Sequence, residues 1–319
     1  MAERRQLGWV GAGGRMGAAL VRRLLDAGND VRVYNRTASK LAPLVEAGAK
    51  AVGAPAELGA CDIVFVTLGS DSDFVEVLTG AEGLLSGERK PSIVVDLTTV
   101  SAGASAAVRD ALAEQGVEFL AAPVSGNAKV VAAGLLSVVV SGPEAAFEEV
   151  RPYLEQLGRG VTYVGTGEEA RFVKICHNLY LGVVIQGLIE IAVLAEKAGI
   201  PRSSMLGFVN TSVMGSVFSG YKAPALINLD FTPTFTLELL LKDLTLACDA
   251  ATELGVPLPL GTLVQQLARA GVGNGLGELD FAALLELQAQ GAGYEPLPEG
   301  VPVPTGLERL TEQAASAPA

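Results

Sequence analysis

The chain has 319 residues, which at about 150 residues per domain points to two domains. Half of the residues are hydrophobic and 18% are charged, a balance that excludes a disordered chain. With 23 basic against 35 acidic residues the net charge is −12, which argues against a protein that holds nucleic acid through its phosphates.

The amino-terminal Met1–Gln6 leads straight into a strand-like segment, without the apolar stretch and cleavage site of a secretory signal. From there to about residue 165, short β-branched runs alternate with helical stretches. Strands are expected at Gln6–Val10, Asp30–Tyr34, Asp62–Thr67, Ser92–Asp96, Val117–Ala121, Leu136–Ser141 and Val161–Val164. Helices are expected at Met16–Ala27, Ala38–Glu46, Ala102–Gln115 and Pro143–Leu157. Apolar strands joined by amphipathic helices imply right-handed crossovers, hence an α/β, Rossmann-type doubly wound, mainly parallel sheet.

After Gly167 the strand pattern stops, and an all-helical carboxy-terminal domain is expected from Glu168–Ala198, Ser203–Val213, Thr236–Leu254, Leu260–Ala270 and Asp280–Gln288, with Asp280 as an N-cap. The run Leu179–Ala195 is apolar but interrupted by Gln186 and Glu190, which suits a helix buried in protein better than one in lipid. The expected division is a dinucleotide domain over 1–167, a long interdomain helix over 168–198, a helical substrate and oligomerisation domain over 199–293, and a proline-rich flexible tail over 294–319. Cys61, Cys176 and Cys248 are widely spaced, with no CxxC pair; neither a disulfide framework nor a metal site is expected, and a reducing, cytoplasmic setting follows.

Strand, glycine turn and helix follow one another at Gly11-Ala12-Gly13-Gly14-Arg15-Met16-Gly17. Glycines there permit a tight turn and let a pyrophosphate approach the backbone, and the helix behind them turns its unpaired N–H groups toward the phosphates. The third glycine comes one residue later than G-x-G-x-x-G prescribes, so a slightly wider turn is expected. The second strand ends in Asn35-Arg36-Thr37-Ala38-Ser39-Lys40, with no acidic residue for a ribose hydroxyl. Asn35 suits a ribose, while Arg36, Thr37 and Lys40 suit a 2′-phosphate; NADP(H) is expected ahead of NAD(H).

Lys174 lies in Phe172-Val173-Lys174-Ile175-Cys176-His177-Asn178, where offsets of three and four bring His177 and Asn178 to its side of a helix. A desolvated lysine there suits proton donation near neutral pH. The same pattern also suits a lysine paired with a carboxylate at a domain joint, and His177, the only histidine, suits a structural role as well as a catalytic one.

Together with the glycine turn, Asp96-Leu97-Thr98-Thr99, Ala122-Pro123-Val124-Ser125-Gly126, Lys174 with Asn178, and Lys242-Asp243-Leu244 resemble the β-hydroxyacid dehydrogenase family over nearly the whole chain to about residue 290. The resemblance implies reversible hydride transfer between a nicotinamide cofactor and a short carboxylate-bearing carbonyl compound, with Lys174 as acid and base. It implies a substrate carboxylate held by Ser125 and Gly126 and oriented by Asn178, with Asp243 close to the lysine. Thr99 would lie near the nicotinamide, Lys242 and Phe235 would contact the cofactor, and Leu68 completes a cofactor set that begins with Gly11, Ala12, Gly13, Gly14, Arg15 and Met16. A cleft between the two domains and a homo-oligomer, dimer or tetramer, built on the helical part are also implied. Three departures bear on substrate: Ala121 where aspartate is frequent, Asn127 after the loop glycine, and His177 in place of asparagine, the last two adding polar bulk.

Imine reductases share the fold but commonly replace the lysine, so Lys174 favours carbonyl chemistry. A decarboxylating 6-phosphogluconate dehydrogenase needs a larger helical domain. A catalytically silent NADPH-binding sensor has no need of a proton donor, and a serine hydrolase finds no G-x-S-x-G turn. Neither a nucleic-acid partner nor a membrane is expected.

Overall fold

A computed structural model describes residues 5–307; Met1–Arg4 of the amino-terminal segment and residues 308–319 of the expected tail lie outside the described residues. The chain divides into two compact units, Met1–Lys174 and Ile175–Ala319. The division thus falls seven residues beyond the 167/168 boundary expected from sequence, inside a helix rather than ahead of it.

The first unit is built on a nine-stranded sheet: β1 (Leu7–Val10), β2 (Val31–Tyr34), β3 (Lys50–Ala51), β4 (Ile63–Val66), β5 (Ile93–Asp96), β6 (Glu118–Ala121), β7 (Val124–Ser125), β8 (Ser137–Ser141) and β9 (Gly160–Gly165). The order is β3-β2-β1-β4-β5-β6-β8-β7, with β9 on β8. Pairing is parallel from β3 across to β6; β8 then runs antiparallel to both β6 and β7 and parallel to β9. The central strands β1, β4 and β5 are buried along their whole length, because helices cover both faces of the sheet.

Period-two alternation sorts their side chains. Leu7, Trp9, Ile63, Phe65, Ile93 and Val95 enter one core, where Trp9 stacks on Phe65 at 5.1 Å; Val10, Val64, Val66 and Val94 enter the other. Helices α1 (Arg15–Asp26) and α6 (Glu144–Leu157) close the first core with Leu20, Leu24, Phe147 and Leu154. Between them in sequence come α2 (Ala42–Glu46), α3 (Asp71–Thr79), α4 (Ala102–Glu114) and α5 (Ala128–Ala132); α3 and α4 close the second core with Phe74, Leu78, Val108 and Leu112. The stretch Ala38–Glu46, expected as one helix, is a 3₁₀ turn over Ala38–Leu41 followed by α2.

The second unit is helical: α7 (Glu169–Lys197), which begins in the first unit, is followed by α8 (Arg202–Thr211), α9 (Val217–Asn228), α10 (Leu237–Leu254), α11 (Pro259–Gly273) and α12 (Leu284–Gly291). By length and hydropathy α7 could cross a membrane, yet half of its most apolar stretch is buried inside the protein. Its interrupting Gln186 donates to Glu190 at 3.0 Å and to Gln288 of α12 at 3.2 Å.

The tail expected to be flexible is anchored where it is described. Buried Arg202 donates to the carbonyls of Ile227 at 2.8 Å and Leu297 at 2.6 Å, and the Tyr294 hydroxyl reaches Glu196 at 2.6 Å. A guanidinium with no access to water must find acceptors, and proline-rich backbone, whose carbonyls have few internal donors, supplies one.

The three thiols differ sharply: Cys61 is buried, Cys248 half-buried and Cys176 exposed. Burial pushes the Cys61 thiol up to about 11. Thiolate is the reacting form, so an aromatic disulfide reagent at pH 8 is expected to titrate Cys176 first and to reach Cys61 only on unfolding; Cys176→Ser should remove the fast phase. Because the folded value is raised, Cys61's contribution to stability is intact below about pH 9 and is lost as pH climbs through about 11. A denaturation midpoint unchanged between pH 8 and 11 contradicts this.

Candidate active site

At the carboxyl end of β1 the glycine turn is built by close approach. Gly11 has φ +79°, and a Cβ there would stand 1.9 Å from the carbonyl oxygen of Thr67. The amides of Gly11 and Ala12 both donate to the Tyr34 carbonyl, at 2.9 and 3.2 Å, and the Gly14 amide closes the turn on the Gly11 carbonyl at 3.2 Å. The late third glycine is not part of the turn itself. Gly17 lies inside α1 instead, where a Cβ would meet the Gly11 oxygen at 2.4 Å and Thr67 Oγ1 at 2.8 Å, so it sets how closely α1 packs on the sheet. The N-cap of α1 is Gly14, which offers no side-chain acceptor, and the first turn carries no acidic residue. Its leading N–H groups and the positive end of its dipole therefore suit an anion, and the turn fits the pyrophosphate of a dinucleotide.

Asn35 and Lys40 are brought against the second glycine: Asn35 Oδ1 accepts from the Gly13 amide at 3.2 Å, and a Cβ on Gly13 would lie 2.8 Å from Cβ of Lys40. Asn35 Nδ2 donates to the Thr37 carbonyl at 3.0 Å. Arg36 is 84% exposed and paired at 3.0 Å with Asp73 in the first turn of α3, a partner the sequence reading did not anticipate. At the ends of β4 and β5, the Leu68 amide donates to Thr98 Oγ1 at 3.1 Å and the Thr98 amide to Asp96 Oδ1 at 2.9 Å, with Thr99 half-buried beside them. Arg15 is exposed and Met16 half-buried.

Ser125 ends β7, and Gly126 follows at φ +136°, where a Cβ would press on Val130 at 2.8 Å. Asn127 has a task that its sequence position did not disclose. Its Oδ1 accepts from the amides of Lys129 at 3.0 Å and Val130 at 3.1 Å, capping α5. It is buried as a cap, rather than offered as polar bulk.

Lys174 is half-buried in the first turns of α7, and its neighbours Phe172 and Val173 are exposed, so the segment is less enclosed than its apolar sequence suggested. One turn earlier stands Arg171, which the sequence reading passed over and which is the centre of a buried polar cluster. Its guanidinium pairs with Asp96 and donates to the Thr98 carbonyl at 2.6 Å and to Ser105 Oγ at 3.0 Å. Ser105 Oγ in turn lies 3.0 Å from the Glu168 carboxylate, against which Arg109 also rests. Burial pulls the Arg109 guanidinium below its ordinary value. The available signal was an aspartate ending an apolar strand, with an arginine opening an apolar helix.

In the second unit, His177, Asn178, Lys242 and Asp243 form one chain of contacts. Asp243 is buried and accepts from Asn178 Nδ2 at 2.5 Å; Lys242 Nζ stands 3.8 Å from its other oxygen. A carboxylate only accepts, so Asn178 must turn its NH₂ to Asp243 and its oxygen to His177 Nδ1, 2.9 Å away. His177 therefore carries its hydrogen on Nδ1. Phe235 is half-buried, edge-on to Phe281 at 6.0 Å between centroids.

A parallel sheet with a glycine turn opening its first crossover helix defines a dinucleotide-binding unit. A family model described as the NAD binding domain of 6-phosphogluconate dehydrogenase matches residues 6–165, and one described as NAD-binding of NADP-dependent 3-hydroxyisobutyrate dehydrogenase matches 167–288. The chain is 32% identical over 290 residues to 2-(hydroxymethyl)glutarate dehydrogenase of Eubacterium barkeri, covering 90% of this chain and 96% of that one. It is 30% identical over 288 residues to chloroplastic glyoxylate/succinic semialdehyde reductase 2 of Arabidopsis thaliana, covering 89% and 80%. The crystal structure of a 3-hydroxyisobutyrate dehydrogenase from Salmonella typhimurium superposes with a TM-score of 0.81 at 29% identity, covering 89% of this chain and 99% of that one. The chain belongs to the β-hydroxyacid dehydrogenase family, NAD(P)-binding oxidoreductases that act on hydroxyacids.

The glycine geometry makes a direct prediction. Gly11→Ala places a side chain at positive φ and against the Thr67 carbonyl, and is expected to cost about 2 kcal/mol or more in denaturant unfolding and to abolish dinucleotide retention. Gly14→Ala, at φ −74° with its nearest contact at 3.4 Å, should stay within about 0.5 kcal/mol of the parent. Equal effects of the two substitutions refute this account of the turn.

Proposed function

We propose that the protein interconverts a short carboxylate-bearing aldehyde or ketone and its hydroxy acid, using NADP(H), with Lys174 as the general acid in reduction and the general base in oxidation. The bound nicotinamide supplies or accepts the hydride. Lys174 Nζ gives its proton to the oxygen on which negative charge develops during reduction, and takes it back from the hydroxyl in oxidation. The Ser125 hydroxyl and Gly126 amide hold the substrate carboxylate, an ionised acceptor that takes charge-assisted hydrogen bonds from both donors. Within the second unit Asn178 keeps one amide hydrogen on Asp243, and Asp243 and His177 fix its orientation. Thr99 and Leu68 line the nicotinamide end, and Asn35, Arg36, Thr37 and Lys40 receive the adenosine ribose and its phosphate.

The observation that carries this reading is the combination, within the first unit, of an uncapped glycine-turn helix with a lysine one turn beyond a buried arginine anchored at the end of β5. The dehydrogenase and reductase names of the relatives support the reaction class. We further infer a cytoplasmic homo-oligomer, dimer or tetramer, formed through the helical unit, where Phe208, Val213 and Met214 are exposed.

Nicotinamide absorbance followed with glyoxylate, succinic semialdehyde, tartronate semialdehyde and 3-hydroxyisobutyrate, using both cofactors, tests the proposal. Lys174→Ala is expected to lower kcat about 10³-fold in a folded protein. Normal turnover by that variant, or turnover confined to imines, overturns the assignment, as does NADPH that no carbonyl compound oxidises. Arg36→Ala should raise KM for NADPH about 10-fold and leave that for NADH within about twofold. Equal changes for the two cofactors would show that Arg36 does not read the phosphate.

A further inference from the structure

We propose that Arg171 is a positioning residue, which sets the rotation and depth of α7's first turns against the carboxyl ends of β4 and β5 and so aims Lys174; the inference rests on Lys174 being the acid/base.

The side chain of Arg171 is 3% exposed, and all three guanidinium nitrogens are engaged in different directions. One pairs with Asp96 at the end of β5, one donates to the Thr98 carbonyl at 2.6 Å, and Nε donates to Ser105 Oγ on α4 at 3.0 Å. The same loop is held from the other side, since Thr98 donates its amide to Asp96 Oδ1 at 2.9 Å and accepts at Oγ1 from the Leu68 amide at 3.1 Å. Three bonds to three separate elements leave the guanidinium no freedom to slide or turn. Lys174 follows three residues later, about 4.5 Å along the axis and on an adjacent strip of the helix surface. Whatever fixes Arg171 therefore fixes Lys174 relative to the Thr98–Thr99 loop.

Stability alone does not account for this arrangement. A buried ion pair gives little net stabilisation, because desolvating two charges offsets most of their attraction, and apolar groups of similar volume fold as well or better. What apolar groups lack is direction.

The test is the double variant Asp96→Asn/Arg171→Met, which removes both charges together and leaves an amide oxygen for the Thr98 amide. It is expected to keep its melting temperature within a few degrees and its dissociation constant for NADPH, read by fluorescence titration, within about twofold. Its kcat should fall about 10²-fold, the scale on which a misplaced catalytic group loses rate. Arg171→Lys is the second variant: it retains a charge for Asp96 but cannot span three acceptors, and should show the same loss of kcat with unchanged NADPH binding. Parental kcat in a folded variant of either kind overturns the proposal, as does a fall in melting temperature with unchanged kcat per folded molecule. Lys174→Ala separates the two layers. If it turns over normally, the acid/base reading fails and this one with it; if it is inactive while the Arg171 variants keep parental kcat, only the positioning role fails.

Discussion

A parallel sheet ends in backbone groups that the next strand no longer satisfies, and the first unit is organised by how they are satisfied at its carboxyl edge. The Tyr34 carbonyl is taken by the amides of Gly11 and Ala12, that of Val10 by Thr67, that of Val66 by Leu97 and that of Asp96 by Ala122. Each strand thus hands its last acceptor to the loop of a neighbour, and the loops form a continuous hydrogen-bonded rim. The Thr98 carbonyl is satisfied by a side chain, Arg171, that arrives from far along the sequence. This is why the chemically suggestive residues of the unit gather on one edge: the glycine turn, Leu68, Thr98 and Thr99 belong to loops whose conformations are bound to one another.

The helical unit has its own buried polar centre. Lys222 of α9 is 2% exposed, pairs with Asp280 at 2.5 Å, and lies 4.0 Å from the Phe281 ring centroid. Thr234 donates its amide and its hydroxyl to the same carboxylate, at 3.0 and 2.8 Å. Asp280 at once caps the turn over Phe281–Ala283 and joins it to α9 and to the loop before α10. Removing either charge alone strands the other in an apolar setting, at about 3–5 kcal/mol, so the capping aspartate visible in the sequence carries more than a cap is worth.

What the sequence disclosed follows from how local each signal is. Seven strands were legible to within about a residue, since β-branched runs bounded by glycine and polar residues are local patterns. The two-residue β3 and β7 were not, because so short a strand is defined only by its partner. Helix α3 begins with three polar residues, and α9 contains Gly220 and Pro224, so neither presents an uninterrupted helical run. In the site, the glycine turn and the Lys174–Asn178 segment could be read from spacing. Pairings across 37 residues, such as Arg36 with Asp73, or 75, such as Arg171 with Asp96, carry no local mark.

Burial also sorts the cations of this acidic protein by what they can do. Arg36 and Asp73 are joined in solvent, where a pair is worth about 0–1 kcal/mol, so the two can part at little cost. Arg171 has no such freedom, because releasing Asp96 would leave two unpaired charges out of reach of water. A net charge of −12 therefore coexists with cations held in two ways: Arg36 paired at the surface, and Arg171 buried and committed to the protein's own carboxylate.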